Sequence, residues 1–115
     1  MTRYCTQYGA YEIDSVPGQP QLAHCHGFFV APEHRGKGLG HFLKQEQMQV
    51  LASLRYDAAT CTVDGSNTAQ KRVLEGAGWV KSGVFTNSKT GSVTELWMIR
   101  LEPKNADSNK AERAI

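Results

Sequence analysis

The chain is 115 residues long, with 40% hydrophobic and 21% charged residues and a formal net charge of +2, the profile of an ordinary soluble domain built on one core. That charge is too small to argue for a nucleic-acid or membrane surface, and no run is apolar and long enough for a membrane span or a secretion signal. Cys5, Cys25 and Cys61 are odd in number and lack metal-ligand spacing, so free thiols in a reducing cytoplasm and no bound metal are expected.

Residues 2–13 alternate loosely around Tyr4, Tyr8, Tyr11 and Ile13 and predict a strand, with Gly9 as a bulge or break. Val16-Pro17-Gly18-Gln19-Pro20 is a turn signal, and residues 21–30 make the next strand, so the two form a hairpin. Pro32 ends that strand because it cannot donate to a ladder. A loop with glycines at 36, 38 and 40 then opens a helix over Gly38–Leu54, with Leu39, Phe42, Leu43, Val50, Leu51 and Leu54 falling mainly on one face. Tyr56–Val63 reads as a buried strand, parallel to the strand before the helix and reached by a helical crossover. Asn67–Gly76 is a short helix with Ser66 or Asn67 as its N-cap, ended by Gly76-Ala77-Gly78. Trp79–Thr86 and Ser92–Leu101 are two further strands around the turn Asn87–Gly91. From Glu102 onward the chain is polar, mixed in charge and without periodicity, which predicts a disordered tail behind a single domain over 1–101. The expected class is α/β (α+β) with a mixed sheet in the order ββ-α-β-α-ββ.

The chemistry centres on the strand, glycine loop and helix start over Phe28–Leu43. Such a junction gathers free backbone N–H groups at the positive end of a helix dipole, where phosphate oxygens can sit. Glycine lets the phosphate approach the backbone without meeting a Cβ. The dinucleotide pattern G-x-G-x-x-G is absent, since the glycines alternate, and no Lys-Ser or Lys-Thr pair closes a P-loop. What remains is Arg35-x-x-Gly38-x-Gly40 after Val30-x-Pro32-Glu33. This resembles the pyrophosphate-binding motif of the GNAT superfamily of N-acetyltransferases, which hold acetyl-coenzyme A (acetyl-CoA).

The resemblance covers roughly residues 20–101 and implies the second half of that family's fold, without its usual first strand and two helices. The acceptor side is then open, or completed by another subunit in a homodimer. It implies that Phe28, Phe29 and Val30 line the pantetheine arm, although adjacent strand residues face opposite ways, so one of the two phenylalanines serves the core alone. The amides of Arg35, Gly36, Lys37, Gly38, Leu39 and Gly40 would hold the pyrophosphate, with Arg35 and Lys37 adding positive charge. Asn67 would stand beside the arm while also serving as an N-cap. Leu74 occupies the position where the family usually places a tyrosine that protonates the departing thiolate.

His24 and His26 stand two apart on the strand leading to the loop, so both project from one face, with Val30 expected on that face too. A histidine near its ordinary pKa of about 6.5 can take a proton from an ammonium. The pattern His24-x-His26-x-x-x-Val30 is similar to the serotonin-type arylalkylamine N-acetyltransferases, which implies base and proton-relay roles; the other reading is two half-buried strand histidines bonded to their neighbours. His26, nearer the loop, is expected to contact the amine, with His24 as outer relay or the reverse. The implied activity is acetyl transfer from acetyl-CoA to a primary amine by direct attack, the acceptor being a small molecule or a protein lysine or N-terminus. The alternative is a non-catalytic acyl-CoA-binding module that regulates a protein partner.

Overall fold

Pro17 and Gly18 close a tight turn, Gly18 at φ 79°, and the segments on either side pair as antiparallel strands. In the computed structural model, which describes residues 2–101, the chain runs β1 (Thr2–Cys5), β2 (Gly9–Val16), β3 (Gln19–Val30), a 3₁₀ turn at Pro32–His34, α1 (Leu39–Ser53), β4 (Ala58–Asp64), α2 (Thr68–Gly76), β5 (Val80–Thr86) and β6 (Val93–Arg100). One mixed sheet results, in the order β1-β2-β3-β4-β6-β5. β3 and β4 are parallel, joined through α1, and every other neighbouring pair is antiparallel. The α+β class and the shortened form are as expected. The polar tail expected over 102–115 lies outside the described residues.

The first expected strand is divided. Thr6 folds the chain back, its hydroxyl accepting from the amides of Tyr8 and Gly9 at 3.1 and 3.2 Å. Residues 2–5 therefore pair with 10–13 as a hairpin, and the order gains a strand. Gly9 is needed because a Cβ there would come within 1.9 Å of the Phe29 carbonyl oxygen.

Alternate residues of the central strands, Tyr11 and Ile13, Ala23 and Cys25, Ala59, Cys61 and Val63, with Trp97, form one core with Leu43 and Leu51 of α1 and Leu74 of α2. Both helices thus cover the same face of the sheet. The buried stripe of α1 is Leu43, Lys44, Gln47 and Leu51, which corrects the expected one. Phe42 and Leu54 are exposed, at 56% and 47%, because the i, i+4, i+8 row through 43, 47 and 51 meets the sheet. Polar Gln47 lies on that row and polar Lys44 is buried beside it, while apolar Phe42 is left outside.

Beyond His26 the side-chain alternation of β3 reverses. Glu12 pairs with His26 but Ala10 pairs with Phe29, so β3 carries one extra residue between them, a bulge at Gly27, whose φ is 64°. Phe28 and Val30 consequently pack toward the helices. Lys44 of α1 lies over the Phe28 ring, and Val30 packs on the core. The expectation that Val30 shares a face with His24 and His26 is therefore corrected, since a single inserted residue exchanges the faces of everything after it.

Candidate functional site

The ladder between β3 and β4 runs only from Leu22–Ala58 to His24–Thr60. β3 continues to Val30 and β4 to Asp64 without pairing with each other, so the two parallel strands part at His24. The end of β3, the glycine loop and the first turns of α1 and α2 enclose a cleft of about 600 Å³.

Nine of the sequence-derived residues meet on that cleft. Phe28, Phe29 and Val30 come from β3, Arg35, Gly36, Gly38, Leu39 and Gly40 from the loop and helix start, and Asn67 from the head of α2. Gly36 and Gly38 sit at φ 78° and 77°, and a Cβ on either would project into open space with nothing within 4 Å. Gly38 is the N-cap of α1 and supplies no side-chain cap, which leaves the first amides of the helix to a ligand. Gly40 does different work: a Cβ there would meet Val73 at 3.3 Å, so it sets the approach of α2 to α1. Asn67 caps α2 by accepting from the Gln70 amide at 3.1 Å, and it also faces the cleft.

The lining carries no carboxylate and includes Arg35, Arg72, His34 and His41, a lining suited to anionic oxygens. Arg35 is held in place, its Nε donating to the Val30 carbonyl at 2.7 Å and its guanidinium lying 5.1 Å from the Phe29 ring centre. Lys37 does not line the cleft. The geometry thus suits a phosphate-bearing ligand: an open cradle at two left-handed glycines, unspent helix amides and positive charge. Sequence reading missed Gln70, Arg72 and Val73, yet helical spacing signals two of them, since 70 and 73 follow Asn67 at intervals of three on one face.

His24 and His26 do not line the cleft. They stand on the sheet face away from the helices, on the strand that walls the cleft, with rings nearly parallel at 16° and centres 5.7 Å apart. His24 Nδ1 is 2.9 Å from the Thr60 hydroxyl, at the last rung before the strands part. Burial holds the His24 pKa below the ordinary histidine value, and the neighbouring His26 adds to the effect. His26 Nε2 is 2.6 Å from Asp14 and its Nδ1 is 3.1 Å from Glu12. The hydrogen bond from His26 is the main reason that the Asp14 carboxyl lies below its ordinary range. Leu74 is fully buried in the core. Cys25 and Cys61 are buried free thiols, and burial raises the pKa of each, Cys25 to about 12, the opposite of an activated nucleophile.

The acetyltransferase (GNAT) family model matches residues 6–79. A search of curated proteins by sequence found no match. Among solved structures, the ribosomal-protein-S18-alanine N-acetyltransferase from Escherichia coli is similar at 15% identity and TM-score 0.68, over 82% of this chain and 61% of that one. The IAA acetyltransferase from Bacillus cereus gives 15% and 0.73, over 82% and 70%. A Bacillus subtilis acetyltransferase solved in complex with CoA gives 16% and 0.71, over 82% and 69%. At these identities the likeness is one of fold, and the chain spans under two thirds of the E. coli enzyme.

Proposed function

Because the chain belongs to the acetyltransferase (GNAT) family, we propose that it transfers an acetyl group from acetyl-CoA to a primary amine by direct attack. The observation that carries this reading is the cleft of about 600 Å³ at the parting of β3 and β4, floored by left-handed glycines and the bare N-terminus of α1. When bound, acetyl-CoA supplies a thioester whose C–S bond breaks as the amine's C–N bond forms, the sulfur leaving with the electron pair. The amides around Gly36–Gly40 hold phosphate oxygens, Arg35 and Arg72 neutralise them, and Phe28, Val30 and Asn67 guide the arm toward the parted strands.

His24 is the base in this reading, with His26 beside it, the reverse of the order expected from position alone. The Thr60 hydroxyl lies 3.4 Å from the Ala23 carbonyl and 2.9 Å from His24 Nδ1; in this reading it donates to the carbonyl and accepts from His24 Nδ1–H. That arrangement goes with the tautomer whose Nε2 carries the lone pair. A lowered pKa keeps the ring neutral at pH 7 and able to take the amine's proton. The open sheet face beside the histidines favours an amine on a macromolecule, a lysine or an N-terminus, over a small enclosed substrate. Buried Leu74 offers the thiolate no proton, so water supplies it.

Calorimetry with CoA and a screen of peptide and small amines test the proposal. The expected results are micromolar-range binding and a kcat/KM that rises with pH along a limb below the ordinary histidine value of about 6.5. Absence of CoA binding under several conditions sinks it. Leu74 favours one second reading, a non-catalytic acyl-CoA-binding module, which predicts CoA binding with no acetylated amine in any screen.

A further inference from the structure

His24 and His26 share a strand face but differ in what their nitrogens touch. Both ring nitrogens of His26 lie against carboxylates of β2, Nε2 at 2.6 Å from Asp14 and Nδ1 at 3.1 Å from Glu12. Glu12 is itself braced from β1, where Arg3 reaches its other oxygen at 2.9 Å. The Asp14 contact is a hydrogen bond and the Glu12 contact lies at ion-pair distance, so a carboxylate faces each nitrogen. With a carboxylate against each nitrogen the ring presents neither to an acceptor amine, and turning it breaks the Nε2–Asp14 hydrogen bond. His24, stacked beside it, has Nδ1 on Thr60 and its Nε2 uncommitted to any described residue.

We propose that Glu12 and Asp14 are positioning residues for acetyl transfer: they occupy both ring nitrogens of His26, hold that ring parallel to His24, and leave His24 Nε2 as the nitrogen of the pair that meets the acceptor amine. The carboxylates thereby divide two otherwise equivalent histidines into a base and a fixed neighbour. The charged and titratable groups facing the pair are Arg3 from β1 and Glu12 and Asp14 from β2, with Thr60 the neutral contact from β4. The inference rests on the acetyltransferase reading, and one of its measurements requires no turnover.

That measurement is ring NMR on the full chain labelled at histidine, at a pH of about 5.5, where an ordinary histidine is protonated. In the wild type both His26 ring N–H protons should be observed and protected from exchange with water. In the Glu12→Gln/Asp14→Asn variant, checked for folding by its amide spectrum, that protection should fall by on the order of tenfold or more. The kinetic measurement follows kcat/KM against pH. His26→Gln should move the acid limb to higher pH, because the positive neighbour that holds down the His24 pKa is gone, whereas His24→Gln should abolish the limb and lower the rate about a hundredfold. Unprotected His26 protons in the wild type overturn the proposal, as does an acid limb that survives His24→Gln. An inactive wild type with the protected ring intact defeats the transferase reading and with it the catalytic part of the clamp, while unprotected protons in an active enzyme defeat the clamp alone.

Discussion

Gly38 holds a φ of 77° with nothing within 4 Å of where a Cβ would stand, so its role is to leave room. Valine there pays about 1–2 kcal/mol in the left-handed region and fills the phosphate cradle. Gly38→Val is expected to abolish calorimetric CoA binding while the chain still melts cooperatively; a variant that binds as the wild type does refutes the cradle. Lys44 raises a different matter. Its ammonium is buried, hydrogen-bonded to Gln47 at 2.7 Å and lying 4.4 and 4.8 Å from the Phe28 and Trp79 ring centres, with no carboxylate partner among the described residues. Burial pushes its pKa down, so between the lowered folded value and the ordinary lysine value the unfolded chain binds more protons. Stability then rises with pH across that window and is lost as pH falls. Lys44→Met should stabilise the fold by on the order of 1–3 kcal/mol. Its advantage in denaturant unfolding should shrink as pH rises toward the ordinary lysine value of about 10.4, and a difference that stays constant up to that pH would show that the fold does not lower the Lys44 pKa.

At the level of elements, α2 joins two tasks at its first residue. Asn67 caps the helix and faces the cleft. Asn67→Ala should cost about 1 kcal/mol and weaken CoA binding, whereas Asn67→Ser should keep the melting temperature and still weaken binding. If Asn67→Ser binds CoA at full strength, the residue is a cap alone. The bulge in β3 is the other decisive element. Alanine at Gly27 would take a φ of 64° and bring its Cβ within 3.2 Å of the Glu12 side chain. Its melting temperature should fall, because the bulge and the Glu12–His26 contact are disturbed together.

For the whole molecule, both helices lie on one side of the sheet and the histidine face is bare among the described residues. Exposed apolar residues gather at the far edge, with Val80, Val84 and Phe85 of β5 at 64%, 58% and 55%. Soluble proteins usually cover such a surface. Light scattering should give the mass of two chains, and Phe85→Lys should shift it toward one. A one-chain mass for the wild type at high concentration counts against the dimer. No helix among the described residues is long and apolar enough to cross a membrane.

The glycine loop was legible because its requirement is local. Alternating glycines before an apolar helical run specify a backbone that must bend and stay bare, and nine expected lining residues do meet on one cleft. The helices and most strands were legible for the same reason, as period and turn chemistry act within a few residues. Tertiary structure alone decided which side of β3 each residue faces after Gly27, because a glycine permits a bulge but the register with β2 shows that one is made there. It also decided that Lys44 and Gln47 are buried, since the row of α1 that meets the sheet is chosen by packing against β3 and α2. Most of all it decided what each histidine touches. His24 and His26 are indistinguishable by spacing, and only the pairing of β3 with β2 and β4 sets Asp14 and Glu12 against one ring and Thr60 against the other.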